Sequence, residues 1–335
     1  MRIAILGAGF CGLAAAWHLL SQSSLKSSDP LKITIIDGKK IGGGTSGIAA
    51  GLLHPFAGAH AKFNQFGKEG MDATQELLEV ASNALQKPVY TKTGILRLAL
   101  NDKQHEDFLA CSSKYKDETC WLNADECQAL YPTFTKAPGL WIKNGIVVQS
   151  ELYLQGLWQA CAEKGALYEN RSIYSLDELI DFDVVVFAIG AGYLHFPELK
   201  QFSLKTVKGQ ILRLKWPEDL PILPCVINSQ AYIIMHEDKK SCLAGATFEK
   251  NYLTEGPDEK VAKEEILPKV MPLIPQLQHA ETIECLAGLR VVTPDHLPLI
   301  KNFDGNKWIL TGMGSKGLLY HALYAKQLAK KIMTH

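Results

Sequence analysis

Short, wholly apolar runs alternate along this chain with longer segments whose apolar residues recur every three or four positions. Arg2-Ile-Ala-Ile-Leu6 and Lys32-Ile-Thr-Ile-Ile36 read as strands. Phe182–Ile189 is apolar at every position but Asp183, which predicts a parallel strand buried on both faces. Leu13, Ala16, Trp17 and Leu20 fall at helical spacing between the first two strands. Further helices are predicted over 66–86, 149–165 and 260–271, the last ended by Pro268, Pro272 and Pro275. Thr91–Leu100 reads as one strand with a glycine at Gly94, and the polar stretch Ser21–Asp29 as a loop. From Val207 the pattern changes to short strands, Gly209–Leu214, Tyr232–Met235 and Ser241–Ala244, which predict an antiparallel layer. The strand-like run Trp308–Thr311 is followed by a final helix.

The class that follows is α/β. Nucleotide-binding elements come in three pieces, 1–88, 146–204 and 286–335. Residues 89–145 and 205–285 form a second, α+β layer expected to carry the substrate. No repeat of solenoid period and no low-complexity tract interrupts this organisation.

Two glycine patterns stand at the strand-to-helix junctions. Gly7-x-Gly9-x-x-Gly12 follows the first strand, and Gly312-x-Gly314-x-x-Gly317 follows Trp308–Thr311. In the first, Gly7 permits the tight turn, Gly9 lets backbone approach a pyrophosphate, and Gly12 lets helix and strand pack closely. The helix start offers unpaired N–H groups and a positive dipole end to phosphates. Asp37 ends the second strand about 25 residues beyond Gly12, near the usual spacing for a carboxylate that holds an adenosine ribose. The small-residue stretch Gly42–Gly51 and the tripeptide Gly190-Ala-Gly192 mark further places of close backbone approach. Two such patterns at opposite ends of the chain predict one extended cofactor gripped from both.

Composition narrows the partners. Lys+Arg and Asp+Glu number 35 each, so no electrostatic drive toward nucleic acid or anionic membrane is expected. The eight cysteines contain no C-x-x-C pair, and no metal site is expected. Reduced thiols and a cytoplasmic location fit this usage. Residues 3–20 lack Asp, Glu, Lys and Arg, yet three glycines and a short helix argue against a signal peptide or membrane span.

The motifs in order are GAGFCG at 7–12, GTSGIAAGLLHP at 44–55, VVVFAIGAG at 184–192, KGQ at 208–210, GLRVVTPDHLPLI at 288–300 and GMGSKGL at 312–318. This order resembles the FAD-dependent amine and D-amino-acid oxidoreductase superfamily, which includes glycine oxidase, sarcosine oxidase and D-amino-acid dehydrogenases. The resemblance implies a Rossmann-like FAD-binding domain beside an antiparallel substrate domain. It implies that Asp37 holds the adenosine ribose, Thr45 and Ser46 meet the pyrophosphate, and Ala49, Ala50, Gly51 and Leu52 run along the isoalloxazine. Gly190 would pack near the nucleotide half, and Gly312, Gly314, Ser315, Lys316 and Gly317 would lie at the pyrimidine edge. Phe10, Cys11 and Gly38 belong to the same expected cofactor-binding set; a small filler is the expected role of the Cys11 side chain.

The pyrimidine-edge placement also has a physical reason. Reduced flavin carries negative charge over N1 and the C2 carbonyl, and a helix start stabilises it, with Lys316 adding a full charge. The resemblance sets Arg290 against a substrate carboxylate, a pairing suited to a planar guanidinium. It places Tyr232 above the flavin and His54 just beyond the flavin-facing turn, as the other candidates for substrate contact. Structural roles stay open for all three: Arg290 paired with Asp295 or a backbone carbonyl, Tyr232 in core packing, and His54 as a satisfied histidine. Gly288 stands where covalent relatives carry a cysteine, so the FAD is expected to be non-covalent. Leu243 stands where oxidase relatives carry a lysine that assists oxygen, which leaves oxygen and another electron acceptor both open.

The expected activity is therefore oxidation of the C–N bond of a small amine or amino acid. A local likeness of 293–298 and 314–318 to the oxidase domain of a bifunctional enzyme that makes methylaminomethyl-thiouridine in tRNA keeps an RNA-modifying oxidoreductase as an alternative. A flavin-binding subunit without turnover is a third reading, and an NAD-dependent dehydrogenase a fourth that leaves the C-terminal motifs without a task.

Overall fold

The computed structural model describes residues 1–23 and 31–334, so residues 24–29 of the expected loop Ser21–Asp29 lie outside the described residues. Six strands form the first sheet, in the spatial order Leu167–Glu169, Lys32–Ile36, Arg2–Leu6, Val184–Phe187, Lys307–Thr311 and Leu299–Asp304. All pairings are parallel except the last, where Leu299–Asp304 runs antiparallel to its neighbour. The apolar runs have a plain cause. Ile3 and Ile5 pack under the helices Phe10–Ser23, Gly67–Leu85, Ser150–Glu163 and Gly317–Thr334, while Ala4 and Leu6 face a second cluster with Phe187, Tyr193, Phe196 and Ile309. A sheet covered on both faces needs apolar residues at every position.

The second layer is an eight-stranded sheet, mostly antiparallel, in the order Thr282–Val292, Lys205–Lys215, Ser241–Gly245, Tyr232–Met235, Val226–Asn228, Ile95–Leu98, Gly139–Ile142 and Thr119–Leu122. Strand Thr282–Val292 runs across the 285/286 division drawn from sequence. One face of this sheet, with Leu96, Leu212, Leu214, Ile233 and Cys242, packs on the helix Glu259–Val270. The other face looks toward the nucleotide-binding layer.

Three sequence expectations change. Thr91–Leu100 is two strands in two sheets: Tyr90–Lys92 joins a small sheet with Ile146–Val148 and Leu52–Leu53, while Ile95–Leu98 enters the eight-stranded sheet. The break is at Gly94, whose φ of 70° and approach to Trp141 exclude a side chain. Pro268 lies inside the helix Glu259–Val270 rather than ending it. Two helices, Asp102–Lys114 and Ala124–Leu130, lie in a stretch for which the periodicity predicts none.

Candidate active site

The N-terminal turn leaves no room for side chains. A Cβ at Gly12 would stand 1.8 Å from Gly7 O, and one at Gly7, whose φ is 102°, would stand 2.4 Å from Ala188 O. The Asp37 carboxylate closes the same turn, accepting from the backbone N–H of Ala8 at 2.8 Å and of Lys39 at 2.9 Å. A carboxylate has about four acceptor sites, so capacity for a ribose hydroxyl remains. Gly38 lies against Ser172, and Gly190, at φ 53°, opens the turn after strand Val184–Phe187. Phe10 points away from this turn, its ring 5.2 Å from that of His321 and 5.9 Å from that of Tyr153. Cys11 is partly exposed and packs against the same helical core.

The loop after Asp37 crosses from one layer to the other. The Ser46 hydroxyl accepts from Phe10 N–H at 3.2 Å and so faces the glycine turn. The Thr45 hydroxyl donates instead to the Leu289 carbonyl at 3.0 Å, in the outermost strand of the eight-stranded sheet. At its far end His54 meets the Asn228 amide at 3.0 Å, four strands across. The segment 45–54 therefore passes beneath the facing strands, and its Ala49, Ala50 and Leu52 are apolar yet only partly buried. Gly51, at φ 84°, lies with its Cβ direction 1.9 Å from Val148 O.

His54 is fully committed. Both ring nitrogens have polar neighbours: Nδ1 lies 3.3 Å from the Phe56 N–H and Nε2 3.0 Å from the Asn228 side-chain nitrogen. Burial, and then the Arg97 cation, push its pKa down to about 3. Arg97 is 1% exposed and donates to the carbonyls of Phe56 and Gly58, holding the hairpin that follows.

Above the loop, the sheet register sets Arg290, Gly288, Gly209, Ile211, Gly245, Leu243 and Tyr232 on one face. Arg290 stretches across Gly209, where a Cβ would meet Nη2 at 2.1 Å. Tyr232 stretches across Gly245, where a Cβ would meet Oη at 2.5 Å. These glycines sit on adjacent strands two residues out of register, Gly245 being opposite Ile211, so the guanidinium and the hydroxyl are diagonal neighbours on one face, near enough for each to bias the other's ionisation. Arg290 does not pair with Asp295; Nη1 donates to the Thr247 carbonyl at 3.2 Å. Among the described residues Arg290 has no carboxylate in ion-pair contact and the Tyr232 hydroxyl has no hydrogen-bond partner. Burial lowers the Arg290 pKa and raises that of Tyr232, which stays a proton donor. Gly288 backs onto Thr45 and Ile48, and Cys285 points to the opposite face, toward Gln210.

The C-terminal motif enters from the other side. Gly312 and Gly314 have φ of 79° and 55°, a short 3-10 turn spans Gly314–Lys316, and the helix Gly317–Thr334 begins beside Phe10. Ser315 is exposed. Lys316 donates to the His296 carbonyl at 3.2 Å and lies 5.1 Å over the Tyr320 ring, and burial lowers its pKa. Both glycine motifs thus start helices that pack on one another.

A dinucleotide cradle, the apolar and partly exposed Ala49, Ala50 and Leu52, and a second helix start together fit FAD. The chain matches the profile of the FAD dependent oxidoreductase (DAO) family over residues 2–331 and belongs to that family. It is 24% identical to glycine oxidase of Bacillus licheniformis, over 98% of this chain and 92% of that protein. It is also 24% identical to the tRNA 5-methylaminomethyl-2-thiouridine biosynthesis bifunctional protein of Hydrogenovibrio crunogenus, over 96% of this chain but 50% of that protein. The fold superposes on glycine oxidase from Geobacillus kaustophilus with a TM-score of 0.81 at 20% identity, covering 99% and 95% of the two chains. Iminodiacetate oxidase from Chelativorans sp. BNC1 gives 0.79 at 22% identity, covering 100% and 96%. The protein is an FAD-dependent oxidoreductase, and no helix among the described residues is long and apolar enough to cross a membrane.

Sequence reading missed the glycines beneath Arg290 and Tyr232. Their signal was present in Lys208-Gly-Gln210 and Gly245-Ala-Thr247, but their purpose depends on strand partners far away in sequence.

Proposed function

We propose that this enzyme oxidises the C–N bond of a small amine that carries a carboxylate, with FAD held non-covalently. The observation that carries the reading is the diagonal placement of Arg290 and Tyr232 on one face, a cation without an anion beside a hydroxyl without a partner. A half-buried guanidinium normally finds a carboxylate, and here the substrate would bring it. Tyr232 would donate to the second carboxylate oxygen, its raised pKa keeping the proton in place.

FAD, when bound, supplies the two-electron acceptor for the hydride of the amine-bearing carbon. The chain supplies orientation. Arg290 and Tyr232 fix one end of the substrate above segment 49–52, so that its C–H bond is presented in one geometry. A neutral amine leaves as an imine after losing hydride and a proton, and water then hydrolyses it. His54 takes no proton in this scheme, because both ring nitrogens are bonded and it stays neutral. Asp37 and the Gly7–Gly12 turn would hold the adenosine and pyrophosphate, and the start of the helix Gly317–Thr334 with Lys316 would stabilise charge at the pyrimidine edge. Gly288 in place of a thiol supports non-covalent attachment. Oxygen or another acceptor would complete the cycle.

A tRNA aminomethyl group is the second reading, favoured by the similarity to half of the bifunctional tRNA protein. The balance of 35 basic and 35 acidic residues weighs against it. Anaerobic mixing of the purified protein with amino acids, with their decarboxylated amines and with modified tRNA tests the choice. Bleaching by amino acids alone supports the proposal; bleaching by tRNA alone transfers it to the second reading.

A further inference from the structure

Phe248 is 50% exposed, between Thr247, which is fully buried, and Glu249, which is nearly so. Its position comes from a break in register. Strand Ser241–Gly245 pairs with Lys205–Lys215 at Ile211↔Gly245, but the pairing resumes one step out of phase, at Lys208↔Glu249. Ala246 is the extra residue of this bulge. A one-residue slip exchanges the two faces of a strand.

Thr247 and Glu249 thereby join Lys208 and Gln210 on the far face of the sheet. There Thr247 Oγ1 accepts from Gln210 N–H at 2.9 Å, and Glu249 accepts from Gln210 Nε2 at 2.9 Å and approaches Lys208 Nζ at 4.0 Å. This buried network fixes the backbone on either side of Phe248. Phe248 itself is left on the near face, opposite Gly209, over which the Arg290 guanidinium lies. The carbonyl just before it, that of Thr247, accepts from Arg290 Nη1 at 3.2 Å. Single exposed apolar residues are commonplace, and what distinguishes this one is its place beside a guanidinium that has no carboxylate in ion-pair contact among the described residues. The facing positions between Arg290 and Tyr232 are Gly209, Ile211 and Gly245, none of them charged; Arg213 follows further along the same face and is paired with Asp238.

We propose that Phe248 contacts an apolar group on the α-carbon or nitrogen of the substrate. The preferred substrate is then an amino acid with one carboxylate and an apolar substituent, in preference to glycine or a dicarboxylate. The inference rests on the carboxylate role of Arg290. Burying an apolar group of that size against an aromatic ring favours it over its smaller analogue by about tenfold or more.

Calorimetric titration of the flavin-loaded protein with acetate and with phenylacetate tests this without turnover. Phenylacetate should bind about tenfold tighter, Phe248→Ala should bring the two dissociation constants together, and Phe248→Leu should restore most of the difference. Equal binding of both acids, or a Phe248→Ala variant that weakens both by the same factor, overturns the inference and leaves the carboxylate role of Arg290 standing. Binding of neither acid overturns both.

Discussion

The guanidinium of Arg290 lies across Gly209, with no space for a Cβ beneath it: that atom would stand 2.1 Å from Nη2. Tyr232 repeats the arrangement over Gly245 on the neighbouring strand. The two glycines are therefore part of how the candidate site is built. Each lets a long side chain lie flat and bring its polar end inward.

Gly209→Ala should displace Arg290 without disturbing the flavin site. The methyl would push aside the far end of a flexible side chain, so the fold should persist, KM for a carboxylate-bearing substrate should rise toward that of Arg290→Ala, and the visible flavin spectrum should stay the same. Steady-state kinetics and a spectrum of the same preparation check both halves.

Arg290→Ala should weaken carboxylate binding by about 1.5–3 kcal/mol, and Arg290→Lys should recover little of it, because a point charge does not reproduce a planar fork. Dissociation constants for a simple carboxylic acid decide the matter. Equal affinity in Arg290→Lys and the parent protein would contradict the assignment.

Gly12→Ala should lose the cofactor. Its new methyl would stand 1.8 Å from Gly7 O, so the turn that presents backbone to the pyrophosphate must open. The ratio of FAD to protein after gel filtration should fall well below that of the parent protein.

His54 has its pKa pushed down to about 3, so no ionisation of this ring should appear in the pH–rate profile between about pH 5 and 8. A limb near neutral pH that disappears in His54→Gln would show that the ring takes part in proton transfer after all.

The buried His18 and His321 give the fold its own pH dependence. Burial holds both near pKa 4, below the value of about 6.5 expected in the unfolded chain. Between these values the unfolded chain binds protons that the folded chain refuses. Stability is then fully present above about pH 6.5 and is lost as pH falls toward 4. Melting temperature against pH should fall through this window, and less steeply in His321→Gln.

The nucleotide-binding layer was legible in the sequence because its signals are local. A strand, three glycines, a helix and an acid follow one another within the first 37 residues, and each constrains its neighbour. The substrate layer was legible only in class. Its face is assembled by register between strands such as Lys205–Lys215 and Thr282–Val292, and periodicity carries no information on pairing. The role of Thr45 shows the same limit, since its hydroxyl is drawn to a carbonyl at Leu289 that only the assembled sheet brings near. The two missed helices did leave marks: Asn101 accepts from Gln104 N–H, and Asn123 with Glu126 forms a capping box. Their weak apolar faces hid them. Gly94 fits a single strand by sequence pattern, whereas its left-handed backbone separates two.

Anaerobic titration of the flavin-loaded protein, read as loss of visible flavin absorbance, tests the central claim most directly. Amino acids with one carboxylate should bleach the flavin, their decarboxylated amines should do so far less readily, and Arg290→Ala should erase that preference. A protein that takes up no FAD, or one whose flavin is bleached equally by both classes of amine, would contradict the account.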